Sequence, residues 1–204
     1  MIPSTYINAI PVKENGDPLV EVTSSEKIVV FCPDESRVLM RSVVLGKLNY
    51  ASKILPDGLK LKILYGYRSL RVQEKFWEET CAEIKHKDPQ LSEQEIEAHA
   101  RQYSALPTGN GPHQTGGAID VLIVDKDDNS LDFGSKYRSH GDSVAMHSKT
   151  ATLTQRQNRK FLREVMFSVG FTYYPGEWWH FSFGDRMWAA YTGNKFALYG
   201  PAKK

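Results

Sequence analysis

Leu59, Leu61 and Ile63 alternate with lysines, and this period of two predicts a half-buried strand running through Tyr65. A turn at Gly66 leads to Tyr67-Arg68-Ser69, where Ser69 can cap a helix carrying Val72, Phe76 and Trp77. Ser92-Glu-Gln-Glu95 has the capping-box spacing and predicts another helix start. Upstream, Val38, Leu39, Val43, Leu45, Leu48 and Ala51 form an imperfect apolar face, predicting a helix from about Glu35 to Ile54 that Pro56-Asp57-Gly58 ends. Residues 1–33 mix Pro, Gly and Asn with β-branched runs such as Ile28–Phe31, which predicts loops with one or two short strands. Residues 107–117 form a loop with four glycines, and Ala118–Val124 reads as a strand. Residues 125–150 are polar and irregular, with a hairpin turn expected at Asp127-Asp128-Asn129. Thr154-Gln-Arg-Gln157 reads as a second capping box, opening a helix with Phe161, Leu162, Val165 and Met166 that stops at Gly170. Phe171–Tyr174 and Trp178–Phe183 read as two strands joined at Pro175-Gly176. Interspersed helices and strands that finish on an antiparallel hairpin favour an α+β fold over a doubly wound parallel sheet.

A chain of 204 residues, 41% hydrophobic and 25% charged, suits one soluble domain spanning 1–204 with a substantial core. A net charge of +2 with no basic stripe gives no support for binding nucleic acid. Cys32 and Cys81 are far apart and form no CxxC, so buried free thiols are expected rather than a disulfide framework. The first residues lack a basic stretch followed by an apolar one, and no run is long enough to span a membrane. A chain that starts here is expected in the cytoplasm; a trimmed start would allow a periplasmic or extracellular site. Oligomeric state is not legible.

Two motifs carry chemistry. His113-Gln-Thr-Gly-Gly-Ala-Ile-Asp120 and Glu177-Trp-Trp-His180 together offer two histidines and an aspartate as zinc ligands. Structural zinc sites are usually closed by four protein ligands, often cysteines, whereas catalytic sites use three and keep a position open. Without a cysteine pair, the His/Asp/His set with Glu177 nearby points to metal-assisted hydrolysis, Glu177 serving as base for a metal-activated water. His113 and Asp120 are seven residues apart, an odd separation that a plain strand would send to opposite faces; the Thr115-Gly116-Gly117 turn lets His113 fold back over the face carrying Asp120 and the small Ala118. Glu177 and His180 have the same parity difficulty, which is removed if Glu177 belongs to the Pro175-Gly176 turn. Each residue also has a plainer reading. Asp120 could be a solvated strand-end carboxylate, and His180 a core histidine among Trp178, Trp179 and Phe181. Arg68, just past a strand, could bind a carboxylate or stabilise an oxyanion, or simply pair with Glu74 on the helix surface. His86, His99, His140 and His147 stand in polar contexts and are expected at the surface.

Gly66-Tyr67-Arg68, His113-x-x-Gly116-x-Ala118-Ile119-Asp120 and Glu177-Trp178-Trp179-His180, in this order across about residues 60–185, resemble the zinc D-Ala-D-Ala dipeptidases and, more widely, the zinc D,D-carboxypeptidases of the same hedgehog-like fold. The resemblance implies one zinc per chain held by His113, Asp120 and His180, with Glu177 as general base and then proton donor, and Arg68 stabilising the tetrahedral intermediate. It implies a small D,D-dipeptide or a peptidoglycan-derived peptide as substrate, and the paired tryptophans favour the dipeptidase branch. Two positions depart from the family pattern. Gly111 replaces a serine, and Arg138 replaces an aspartate expected to hold the free amino group; Asp132 and Asp142 are the nearest substitutes. A D,D-carboxypeptidase acting on stem peptides, or a zinc-bearing binding module of the hedgehog type without catalysis, are the alternative implications.

Overall fold

The computed structural model describes residues 2–32, 36–101 and 103–202. Its elements in chain order are α1 (Ser4–Ala9), β1 (Leu19–Glu21), β2 (Ile28–Val30), β3 (Leu39–Arg41), α2 (Ser42–Lys53), β4 (Lys60–Tyr65), α3 (Leu70–Lys87), α4 (Glu93–Ala100), β5 (Ala118–Val124), α5 (Leu153–Ser168), β6 (Thr172–Tyr173), β7 (His180–Ser182) and α6 (Arg186–Thr192). The main sheet has the order β2-β4-β5-β7-β6, and β1 pairs with β3 in a separate two-stranded ribbon. Only β2 and β4 run parallel; β4–β5, β5–β7 and β6–β7 are antiparallel. The expected α+β class therefore holds.

β5 is the central strand, and all seven of its residues are buried. Apolar runs of this kind mark strands covered on both faces. Ile119, Val121 and Ile123 join one core with Leu61 and Ile63 of β4, Val44, Leu48 and Ala51 of α2, and Leu162, Val165 and Met166 of α5. The caps of α3 and α4 follow the sequence. Ser69 Oγ accepts from the Val72 amide, and Ser92 and Glu95 form the reciprocal box.

Several sequence expectations are corrected. The helix expected from Glu35 starts instead at Ser42, because Leu39–Arg41 is an edge strand paired with Leu19–Glu21; Glu35 itself lies outside the described residues. Tertiary pairing overrides an imperfect helical pattern here. The second capping box is Thr152 with Gln155, two residues before the expected pair. The last strands are shorter than expected, and Trp178 and Trp179 lie in the turn before β7. The helices α1 and α6 were not foreseen. Neither Cys32 nor Cys81 takes part in a disulfide, and both are half-buried rather than buried. The surface expectation for His86, His99, His140 and His147 holds. Among the described residues no helix is long and apolar enough to cross a membrane.

Candidate metal centre and catalytic cavity

Asp120 and His180 are opposite partners in the antiparallel β5–β7 register, so their side chains rise from the same face. Alternation along β7 does the rest: His180 and Ser182 face the site, and Phe181 between them is fully buried in the core. Asp120 is only 3% exposed, which removes the reading of a solvated strand end.

His113 arrives from a different element. It sits in a 3₁₀ turn, Pro112–Thr115, closed by Gly116 in the left-handed conformation with φ 72°. A side chain at Gly116 would be strained there and would meet Leu19, so glycine is what lets the chain reverse into β5. Two hydrogen bonds zip this turn to the end of β4. The Arg68 amide donates to the His113 carbonyl at 3.1 Å, and His113 Nδ1 lies 2.8 Å from the Gly66 carbonyl. A Cβ at Gly66 would collide with the Leu39 carbonyl, so this close approach also needs glycine. A carbonyl can only accept, so Nδ1 carries the proton and Nε2 is left as a lone-pair donor.

The three groups converge. His113 Nε2 lies 3.4 Å and His180 Nδ1 3.2 Å from Asp120 Oδ1. One donor atom from each of the three residues falls within 4.8 Å of the other two. Tetrahedral zinc with bonds of about 2.0–2.1 Å sets its ligand atoms about 3.3 Å apart, so the donor set and its spacing fit this ion. Among the described residues this is the one such cluster.

The electrostatics follow from burial and mutual contact. Burial pushes His113 down to about 4, so its imidazole is neutral and ready to ligate. Burial alone would raise Asp120, but the two imidazoles outweigh it and hold the carboxyl well below the usual range. Burial likewise lowers His180, but Asp120 foremost, with Glu177 and Asp185, more than offsets this and raises it. A cation takes these ligands in their deprotonated forms, so its affinity for the cluster falls as the pH is lowered.

Glu177 lies in the turn before β7, its amide donating to the Tyr174 carbonyl at 3.2 Å, as the parity argument requires. Its Oε2 is 3.9 Å from His180 Nδ1, and it stands outside the three-ligand cluster. Burial pushes its carboxyl up to about 7. Trp178 fills the core role of the plainer reading, stacked on Phe133 at 4.3 Å with nearly parallel rings. His180 does not.

Arg68 is not paired with Glu74. Its Nη1 donates to Gln73 Oε1 at 2.9 Å, and its guanidinium lies over Tyr65 and Phe76 at 4.4 and 4.8 Å. Gln73 is itself buried and held by Ser104 and the Ala105 carbonyl. Arg68 Nε is buried without an acceptor. Arg68, His113, Asp120, Glu177 and His180 all line one cavity of about 630 Å³. Gly111 and Arg138 line it too, whereas Asp132 and Asp142 do not. Asp132 instead accepts from Gln155 and Asp142 from Ser148, so neither replaces the missing acid at position 138.

The sequence reading missed Tyr137, whose hydroxyl donates to Asp120 Oδ2 at 2.8 Å. Burial and the Asp120 charge raise this phenol well above its ordinary value, so it remains a donor. Gln73 was missed as well. A polar residue between Val72 and Phe76 on the inward face of α3 was its available signal; Tyr137, in an irregular loop, had none.

A family model described as D-ala-D-ala dipeptidase matches residues 25–197 of this chain. A D-alanyl-D-alanine dipeptidase from Synechocystis is 29% identical over 219 residues, covering 89% of this chain and 87% of the relative. One from Escherichia coli K12 is 30% identical over 149 residues, covering 72% of this chain and 63% of the relative. Among solved structures, a variant of the vancomycin-resistance D,D-pentapeptidase VanY in complex with Zn(II) aligns with a TM-score of 0.51 at 17% identity, covering 92% of this chain and 91% of its own. VanYB in complex with D-alanine-D-alanine gives 0.51 at 18% identity, covering 97% and 89%. At these identities the structural likeness is one of fold.

Proposed function

The chain belongs to the D-Ala-D-Ala dipeptidase family, and from that premise we propose that it is a zinc peptidase hydrolysing D-Ala-D-Ala or a closely related D,D-dipeptide, with its 204 residues forming one catalytic domain. The observation that carries the proposal is the convergence of His113, Asp120 and His180 on one buried point, with Glu177 and the unused Arg68 donor in the same cavity.

His113 Nε2, Asp120 Oδ1 and His180 Nδ1 would hold a single zinc. When bound, zinc polarises the scissile carbonyl and brings the pKa of a bound water to about 7. Glu177 takes the proton of the attacking water and returns it to the nitrogen of the departing D-alanine, as a carboxylate beside the ligand set but outside it is placed to do. Arg68 donates to the oxygen that gains charge as the carbonyl carbon becomes tetrahedral. Its side chain is already locked by Gln73, Tyr65 and Phe76, so little ordering remains at the moment of reaction.

The test is turnover of D-Ala-D-Ala and L-Ala-L-Ala by protein reconstituted with zinc. About one zinc per chain, cleavage of the D,D-dipeptide alone and its loss with a chelator are expected. Equal rates on both dipeptides, or full activity without metal, would sink the proposal. A second reading, a D,D-carboxypeptidase trimming stem peptides, is favoured by the cavity of about 630 Å³, which lies in the range typical of drug-sized ligands. Faster cleavage of a stem peptide ending in D-Ala-D-Ala would select it.

The role of Arg68 has its own signature. Arg68→Lys should lower kcat by about 10²–10³-fold with KM nearly unchanged, because the lost donor matters mainly in the transition state. Lysine keeps the charge but loses the planar fork. A raised KM at constant kcat would instead make Arg68 a ground-state carboxylate binder.

A further inference from the structure

We infer that Tyr137 is a positioning residue, whose hydroxyl binds Asp120 Oδ2 and so presents Asp120 to the metal through Oδ1 alone. The inference rests on the proposed metal centre. Its geometric basis is a division of labour between the two carboxylate oxygens. Oδ1 faces both imidazoles, at 3.2 and 3.4 Å, whereas Oδ2 receives the Tyr137 hydroxyl at 2.8 Å. The carboxylate can only accept, so the phenol is the donor.

This division matters for coordination number. Two imidazoles and a carboxylate bound through both oxygens would fill four positions, the number at which structural zinc sites are closed. Held to one oxygen, Asp120 leaves the fourth position open for water or substrate, as a catalytic site requires.

The hydroxyl is delivered by a built scaffold rather than by a mobile side chain. The Tyr137 ring meets Trp179 edge to face at 5.4 Å. Ser135, two residues earlier, accepts from the Trp178 indole at 2.9 Å. Arg159 is 1% exposed and binds the Phe133, Ser143 and Ala145 carbonyls, tying both ends of the loop that carries Tyr137. The site thus spends a buried guanidinium and two tryptophans on fixing this segment against β5 and β7.

The experiment is Tyr137→Phe, which keeps the ring and its contact with Trp179. Metal-free parent and variant are each loaded with Co(II), and their visible absorption is recorded alongside zinc affinity from chelator competition. Release of Oδ2 raises the coordination number, so the Co(II) bands of the variant should weaken and shift. Zinc affinity should change by no more than the about 10–100-fold typical of losing an outer partner. The metal-free variant should stay folded and melt modestly below the parent, since Oδ2 loses its donor, and kcat should fall with KM unchanged. Identical Co(II) spectra in parent and variant would overturn the inference while leaving the zinc peptidase reading intact. A loss of affinity beyond about 1,000-fold, well outside the outer-partner range, would also overturn it by making Tyr137 a requirement of the fold. A parent protein that takes up no Co(II) would remove the metal reading itself.

Discussion

Glu177→Gln should retain parental zinc while losing about 10²–10⁴-fold in kcat, the contribution expected of a single general acid–base group. Glutamine preserves the size of the side chain and its place in the turn between Tyr174 and His180. It removes only the ability to take and return a proton. The carboxylate stands 3.9 Å from His180 Nδ1, farther than either imidazole nitrogen stands from Asp120 Oδ1, and outside the three-ligand cluster. Metal content should therefore be indifferent to the change. In the metal-free protein burial pushes this carboxyl up to about 7. Metal analysis and single-turnover rates on the same preparation decide the matter. If the variant loses zinc in proportion to its activity, so that the rate per bound zinc is unchanged, Glu177 is a ligand and the base lies elsewhere.

Asp120→Ala should abolish metal binding at stoichiometric zinc and with it all measurable hydrolysis, a loss larger than the about 10–100-fold seen when only an outer partner is removed. Asp120 Oδ1 is the atom both imidazoles approach, and it supplies the negative charge of the ligand set. A second readout comes from the metal-free protein. In the parent, burial pulls His180 down, and Asp120 foremost, with Glu177 and Asp185, overcompensates and raises it. Without the carboxylate the burial penalty is opposed only by more distant acids, so the His180 pKa should move down when followed by NMR. An unchanged titration would mean that Asp120 and His180 do not interact as their 3.2 Å separation implies.

The amino-acid sequence by itself determined the chemistry and much of the local architecture. The residue types and order of His113, Asp120, Glu177 and His180 offered the donors of a three-ligand set and a base, beside the plainer readings of a solvated Asp120 and a core His180. The period-two run to Tyr65, the apolar run Ala118–Val124 and the caps at Ser69 and Ser92 depend on neighbours in sequence, so they were legible in it. Glu177 belonging to the turn followed from the parity of its spacing to His180 and the Pro-Gly before it.

Tertiary structure decided what depends on residues distant in the chain. Leu39–Arg41 reads as helix locally, but it becomes a strand because Leu19–Glu21 offers a partner. The pairing of Asp120 with His180 is set by the β5–β7 register, a property of two strands sixty residues apart. The choice between a surface Arg68 and a cavity Arg68 was made by Gln73, Tyr65 and Phe76, which hold the guanidinium away from Glu74. Tyr137 had no signature, because an irregular loop carries no period. Its hydroxyl reaches Asp120 only because Arg159 and the Trp178–Trp179 pair fix that loop against the sheet. Which side chains could serve as donors is a matter of residue type, which the chain spells out. The orientation and protonation of those ligands depend on burial and on contacts across the fold, which exist only once it has formed.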